Sequence, residues 1–165
     1  TLYCGSFSKT LAPGLRIGWV CGAKEVIAKL VLLKQAADLH SATTNQIVVN
    51  QVARTIFEDH VAKLRSVYMA RRDHLLKALK REMPEGVTWT KPEGGMFVWL
   101  TLPEHIDAAD LLARSLNTER VAFVPGRAFF ADASNGNTLR LSFSCADEAA
   151  IDEGMRRLAR LIRAA

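Results

Sequence analysis

Two kinds of hydrophobic pattern alternate in the first third of the chain. Residues 2–5 and 16–21 are short apolar runs, which predict two buried strands joined by a polar loop. Apolar residues then recur at three- and four-residue steps as far as Asp38, and again after the polar segment 40–45, so two amphipathic helices are expected. Strands connected to helices in this way indicate part of an α/β lobe.

The longest helical pattern covers residues 59–83 and extends over about six turns. Pro84 and Gly86 follow it and are expected to end the helix. Because long amphipathic helices often connect two lobes, we place the domain boundary within this stretch. The expected organisation is a remnant of a large α/β domain at 1–58, a linking helix at 59–83 and a small C-terminal α+β domain at 84–165.

Short strands and turns dominate the chain beyond residue 84. Asp107 is expected to cap a helix that reaches about Leu116, and Ser144 to cap the final helix. About three strands with helices on one side are expected in this part of the chain. Apolar runs bounded by turn residues lie at 87–89, 96–100, 121–124 and 138–143. The buried stripe of the final helix is expected at Ile151, Met155, Leu158 and Ile162.

The two apolar runs near the start cannot form a stable doubly wound sheet by themselves, since an independent sheet needs at least three strands with a covered face. The chain also opens directly in the first of these strands, with no segment that introduces it. We therefore expect most of the sheet to lie upstream, which would make the chain the C-terminal part of a longer protein.

The composition is that of a soluble globular protein: 165 residues, of which 49% are hydrophobic and 24% charged. No apolar run approaches the roughly 20 residues needed to cross a bilayer, and no signal-peptide pattern opens the chain. Cys4, Cys21 and Cys145 have no metal-ligand spacing. Free thiols are typical of a reducing compartment, so we expect a cytoplasmic protein without a metal site.

The formal charge of +5 raises the question of nucleic-acid binding. Most basic residues, however, lie in helical patterns beside acidic ones, as solvated helix faces usually do. Neither a zinc-finger spacing nor an RNA-binding signature with aromatic residues occurs. The sequence therefore favours a solvated surface over a nucleic-acid interface.

Four chemically active side chains lie within eleven residues of the first polar loop: Ser6, Ser8, Lys9 and Arg16. Hydroxyls and a guanidinium suit a phosphate group, since several donors in one short loop can surround its oxygens. A lysine amine can form a Schiff base with a carbonyl. A phosphate and an aldehyde at one site indicate pyridoxal phosphate. The competing interpretation is an ordinary polar loop with solvated charges.

The run Ser-Phe-Ser-Lys-Thr-Leu-Ala-Pro-Gly-Leu-Arg-Ile-Gly-Trp from Ser6 to Trp19 resembles the cofactor-lysine segment of class I/II aminotransferases. These are pyridoxal-phosphate enzymes of fold type I, so the resemblance implies an α/β fold in which 1–58 belongs to the large cofactor-binding domain. It also implies that Lys9 carries the cofactor, that Ser6, Ser8 and Arg16 hold its phosphate, and that the full-length protein is a homodimer. The sequence looks closest to the 2-aminoadipate and aromatic aminotransferase branch.

Arg140 is the second candidate site residue. It alternates with Leu139 and Leu141, so it should lie on the strand face opposite to the leucines. From the residues alone, an exposed strand arginine and a binding residue are equally acceptable. The segment also resembles the family segment whose arginine binds the substrate α-carboxylate, for which a bidentate guanidinium is the suitable group. The segments 92–97 and 125–129 match the family as well.

The activity that this resemblance implies is transamination between an α-amino acid and a 2-oxo acid. In that reaction Lys9 moves a proton at the substrate Cα, and the two half-reactions form a ping-pong sequence. The family residues that contact the pyridine ring are expected upstream of this chain. The 165-residue chain alone is therefore expected to bind the cofactor weakly or not at all.

Two alternative functions remain open at this point. MocR-type transcriptional regulators of the GntR class fuse a winged-helix domain to the same aminotransferase-like body, and only such a fusion would bring nucleic acid in as a partner. Other pyridoxal-phosphate enzymes catalyse decarboxylation or elimination on the same fold. Aminoadipate, branched-chain and aromatic amino acids all remain candidate substrates.

Overall fold

A computed structural model describes all 165 residues. The chain divides into two compact units, Thr1–Arg65 and Ser66–Ala165. The boundary between them falls inside the longest helix, α3, which spans Phe57–Glu82. None of the helices combines the length and the apolar character that a membrane crossing requires.

The first unit consists of a β-hairpin and helices. Strands β1 (Tyr3–Ser6) and β2 (Gly18–Cys21) pair antiparallel. Helices α1 (Lys24–Asp38) and α2 (Thr43–Thr55) follow, in agreement with the predicted periodicity. The start of α3 completes the unit.

The prediction that the first two strands are buried is wrong for this chain. Apart from the half-buried Gly5, every residue of β1 and β2 is exposed, and Val49 is the one buried residue of the unit. A two-stranded hairpin leaves both faces uncovered, because no neighbouring strand or layer packs on it. The helices also expose large apolar side chains, among them Val31, Leu32, Leu33, Ile47 and Ile56.

The second unit contains an antiparallel sheet of four strands in the order β3-β4-β6-β5. The strands are β3 (Thr88–Trp89), β4 (Phe97–Thr101), β5 (Val124–Pro125) and β6 (Thr138–Ser142). Each of the four predicted apolar runs contributes a strand to this sheet, for which about three strands are expected, but the predicted strand at 121–124 keeps only its last residue. Its start is diverted because the carbonyl of Val121 accepts a 2.6 Å hydrogen bond from the Ser115 hydroxyl instead of joining the ladder.

Helices α4 (Ala108–Thr118) and α5 (Glu148–Arg163) begin at aspartate caps. Asp107 caps α4 as predicted, accepting hydrogen bonds from the amides of Ala109 at 2.8 Å and Asp110 at 3.3 Å. The predicted Ser144 cap is wrong: Asp147 accepts from the Ala150 amide at 2.8 Å, at the three-residue spacing that capping favours. The hydroxyl of Ser144 instead lies 3.0 Å from that of Ser142.

The core of the second unit lies between one face of the sheet and the helices. Val98 and Leu100 of β4 and Leu139 of β6 are inaccessible to solvent and belong to one cluster with residues of α3, α4 and α5. The predicted buried stripe of α5 is confirmed, since all four of its residues are at most 6% exposed. This core fixes the orientation of the opposite sheet face.

A polar bridge also connects α3 with α5. Asp152 lies 2.8 Å from Nη2 of Arg81 and 3.0 Å from Nε2 of His74. The hydrogen bond from Arg81, together with the one from His74, holds the pKa of the Asp152 carboxyl below its usual value. The bridge therefore supplements the apolar contacts of α5.

Gly154 in α5 provides a test of the helix geometry. A Cβ atom at this position would meet nothing within 4 Å, so Gly154→Ala is expected to stabilise the protein by about 0.5–1 kcal/mol through reduced backbone entropy of the unfolded chain. Urea unfolding measures the effect. Gly86→Ala is the contrasting variant and should destabilise, because Gly86 has φ +86° and its Cβ would lie 3.3 Å from Pro103. A loss of stability in Gly154→Ala would contradict the open environment of this position.

Candidate active site

The residues 6–17, here called the lysine loop, connect β1 to β2. Ser6 lies opposite Gly18 in the hairpin register, so both ends of the loop are held at the same end of the hairpin. A Cβ at Gly18 would lie 2.9 Å from the carbonyl oxygen of Gly5, so this position needs a glycine for the strands to approach. The amide of Phe7 donates to the carbonyl of Ile17 at 3.1 Å and closes the base of the loop.

Hydrogen bonds organise the interior of the lysine loop. The Leu11 amide donates to the Phe7 carbonyl at 2.8 Å, which makes one turn around Lys9. The Ser8 amide donates to the Ser6 hydroxyl oxygen at 3.1 Å. Asn45 of α2 donates through Nδ2 to the Leu15 carbonyl at 3.0 Å and ties the far side of the loop to the helix. The loop is therefore a folded structure rather than an extended connection.

Arg16 adopts a left-handed backbone conformation, with φ 52° and ψ 38°. This conformation is unfavourable for a residue with a side chain, and it follows the short 3₁₀ turn Pro13–Leu15. The Arg16 side chain donates through Nη1 to the Pro13 carbonyl at 3.0 Å and is otherwise exposed. Its remaining guanidinium donors are available to an anion.

Lys9 is exposed, and its amine has neither a hydrogen-bond partner nor an ion-pair partner within the chain. All four candidate residues of the lysine loop thus belong to one hairpin connection, with one amine, one guanidinium and two hydroxyls. This donor set suits an anionic ligand that also carries a group reactive toward amines.

Arg140 lies in the other unit, on β6, beside Trp99 of β4 in the sheet register. Leu139 and Leu141 point into the core, so the predicted orientation of Arg140 on the opposite face is confirmed. Its guanidinium carbon lies 3.9 Å from the ring centroid of Phe97 and 4.7 Å from that of Phe129. These two rings, together with Trp99 and Phe130, form what we call the arginine surface.

The side chain of Arg140 makes no hydrogen bond or ion pair within the chain. Two aromatic rings contact the guanidinium while its N–H groups stay without acceptors. A planar fork with free donors is the arrangement that binds a carboxylate through two parallel hydrogen bonds. Arg140 is therefore available as a carboxylate-binding group.

The sequence pattern does not predict three contacts at these sites: those of Asn45 with the lysine loop and those of Phe97 and Phe129 with Arg140. The sequence pattern places Asn45 only in a polar break, and the phenyl rings beside Arg140 only in segments that match the family. Phe97 and Phe129 come from segments 43 and 11 residues away from Arg140, so no local pattern links them to it. The one available signal is that both segments place a Phe shortly after a glycine turn.

The family comparison covers nearly the whole chain. The model of the family "Aminotransferase class I and II" matches residues 1–158. Aromatic-amino-acid aminotransferase 1 of Thermococcus litoralis is 47% identical over 163 residues, which cover 98% of this chain and 39% of that protein. This chain thus spans about two fifths of the length of that relative.

The structural comparison gives the same result. The crystal structure of LysN, the α-aminoadipate aminotransferase of Thermus thermophilus complexed with N-(5′-phosphopyridoxyl)-L-leucine, superposes with a TM-score of 0.93. The match has 45% identity and covers 99% of this chain and 42% of that one. It confirms the expected fold class, the C-terminal portion of a fold-type-I transferase.

Relatives of a second kind also match. The uncharacterised HTH-type transcriptional regulator YdfD of Bacillus subtilis is 34% identical over 163 residues, which cover 98% of this chain and 33% of that protein. Its 34% identity lies below the 47% of the T. litoralis aminotransferase. With the family model covering all but the last seven residues, the chain belongs to the class I and II aminotransferases.

Proposed function

We propose that this chain forms the C-terminal part of a pyridoxal-phosphate-dependent aminotransferase that transfers an amino group between an α-amino acid and a 2-oxo acid. The observation that carries the proposal is the lysine loop, which presents the free amine of Lys9 beside two hydroxyls and a guanidinium on one hairpin. Family membership supplies the reaction class.

The residues present fit the cofactor. Arg16, Ser6 and Ser8 would hold its phosphate, since they supply a cation and hydroxyl donors from a loop that hydrogen bonds already order. Lys9 would hold its aldehyde carbon through Nζ. When bound, pyridoxal phosphate supplies an electron sink that weakens the bonds at the substrate Cα.

Two further roles would fall to residues of this chain. In one half-reaction Nζ of Lys9 would take the proton from the substrate Cα, and in the reverse half-reaction it would return a proton to that carbon, so Lys9 would act as general base and then as general acid. Arg140 binds the α-carboxylate through its free guanidinium donors. The rings of Phe97 and Phe129 limit the rotation of the guanidinium. We assign segment 1–58 to the large cofactor-binding domain, 59–83 to a linking helix and 84–165 to the small domain.

The complete enzyme would contain further polypeptide that packs on the first unit. The exposed apolar residues of α1 and α2 would be covered by further polypeptide, and the T. litoralis relative, of which this chain spans 39%, has the length to supply it. We propose that the complete enzyme is a cytoplasmic homodimer that acts in amino-acid metabolism. The three cysteines, all free and exposed, are consistent with a reducing compartment.

A regulator is the second candidate function, and the match to the HTH-type regulator of B. subtilis supports it. In that case the cofactor body would sense a ligand, and a winged-helix domain upstream would bind DNA. Turnover of amino donor and 2-oxo acceptor by the full-length protein favours the enzyme. Specific DNA binding that depends on cofactor, without turnover, favours the regulator. Release of CO₂ or of a side-chain fragment would instead indicate a lyase.

Reductive labelling tests the role of Lys9. After incubation of the full-length protein with pyridoxal phosphate and reduction by borohydride, peptide mass spectrometry should find one phosphopyridoxyl group on Lys9. Lys9→Arg should abolish that adduct, because a guanidinium keeps the charge but does not form the Schiff base. Label spread over surface lysines in both proteins would reject the assignment. The 165-residue chain alone should label weakly.

Two matched ligands test the role of Arg140. N-(5′-phosphopyridoxyl)-L-leucine carries the α-carboxylate, whereas the corresponding adduct of 3-methylbutylamine lacks it. Calorimetric titration of the cofactor-free full-length protein should show that Arg140→Lys weakens binding of the leucine adduct about tenfold or more, because a bidentate charged pair is lost. Binding of the amine adduct should not change. Equal loss for both ligands would contradict a carboxylate-binding role.

A further inference from the structure

The segment 125–130 contains Phe129, whose ring contacts Arg140, and an ion pair connects this segment to the start of α4. Nη2 of Arg127 lies 2.5 Å from Oδ2 of Asp107, at the start of α4. The pair is partly exposed, with 50% of the Arg127 side chain and 29% of the Asp107 side chain accessible. Exposed pairs of this kind contribute little to stability. Such a pair can nevertheless fix the relative positions of the two segments that it joins.

The Asp107 carboxylate is already ordered by hydrogen bonds that do not involve Arg127. Oδ1 of Asp107 accepts the helix-cap hydrogen bonds from Ala109 and Asp110, which leaves Oδ2 free and in one orientation. The carboxylate therefore does not have to be ordered for the contact with Arg127, so less side-chain entropy is lost. Arg127 meets a rigid partner.

Gly136 leaves room for the pair. A Cβ atom at this position would lie 2.7 Å from Nη2 of Arg127 and 2.8 Å from Oδ2 of Asp107, closer than real contacts allow. The carbonyl of Gly136 also accepts a 2.8 Å hydrogen bond from the amide of Ala108. Asp107, Arg127 and Gly136 thus connect the start of α4, the segment 125–130 and the turn that leads into β6.

The positions of Arg140 and of the Phe129 ring beside it depend on these three segments. Arg140 lies on β6, four residues after Gly136, and Phe129 lies two residues after Arg127. The backbone at Gly126 packs tightly against β4 and β6, since a Cβ at Gly126 would lie 2.0 Å from the Thr138 hydroxyl and 2.8 Å from the Trp99 ring. The Phe129 ring contacts that same indole, with 5.5 Å between the centroids. A shift of Arg127 would therefore move Phe129 relative to the guanidinium.

We propose that Arg127 and Asp107, with Gly136 beneath them, are positioning residues for carboxylate recognition: their ion pair holds Phe129 against Arg140 so that its guanidinium presents its free donors in one orientation. This inference rests on the carboxylate-binding role proposed for Arg140. It predicts selective loss of the carboxylate contribution to binding when the pair is broken.

The two phosphopyridoxyl ligands provide a readout that a purely structural role would not change. In the cofactor-free full-length protein, Arg127→Gln and Gly136→Ala should each reduce the affinity ratio of the leucine adduct to the amine adduct about fivefold, because the guanidinium is then misplaced. Gly136→Ala displaces the pair without removing a charge. Arg127→Lys keeps the charge and should restore part of the ratio. In turnover the same variants should raise KM for the amino acid that the full-length protein accepts as donor more than they lower kcat.

Matched controls separate positioning from general effects. Arg160→Gln removes a comparable exposed ion pair, which joins Arg160 of α5 to Glu119 at 2.8 Å. Gly154→Ala adds a methyl group in open space. Both controls should leave the affinity ratio unchanged. Circular dichroism verifies that every variant is folded.

The outcomes are distinguishable. An unchanged ratio in Arg127→Gln and Gly136→Ala, with a reduced ratio in Arg140→Lys, overturns the positioning role and leaves the proposed function intact. Equal weakening of both ligands in the two variants assigns the pair a structural role and also overturns the inference. If Arg140→Lys does not change the ratio either, the role proposed for Arg140 fails, and the inference fails with it.

Discussion

The antiparallel pairing of β4 with β6 is the constraint on which the second unit depends. It runs through five residue pairs, from Phe97 opposite Ser142 to Thr101 opposite Thr138. Because successive side chains alternate between the two faces, the register that buries Leu139 and Leu141 also turns Arg140 to the other face. A slip by one residue would bury the guanidinium and expose the leucines, so core formation itself selects the position of the charge.

The lysine loop is positioned by a different kind of constraint. Its unit has almost no buried core, and the loop takes its shape from hairpin register, a 3₁₀ turn and hydrogen bonds such as that from Asn45 to Leu15. Short-range polar contacts open more readily than packed cores, since little apolar surface is exposed when they break. One unit thus orients its candidate residue through a core, and the other orients four of them through local geometry.

The features that could be predicted from the sequence are those that depend on local pattern. The stripe of α5, the long helix α3, the Asp107 cap and the direction of Arg140 all follow from spacing over a few residues. Spacing does not reveal the contact of Ser115 with Val121 that shortens a strand, nor the preference for Asp147 over Ser144 as a cap. The Arg127–Asp107 pair and the rings on Arg140 join residues 11 to 43 positions apart, and only the folded chain brings them together.

The open hairpin and the uncovered helices of the first unit have a consequence for handling the chain in solution. Each strand of the two-stranded sheet has one free edge, and unpaired edges are templates for pairing with another copy. Leu32 and Leu33 are exposed at 58% and 65% on the neighbouring helix, so apolar surface accompanies those edges. At high concentration the 165-residue chain on its own is therefore prone to self-association, and chaperones that bind exposed apolar segments would recognise it.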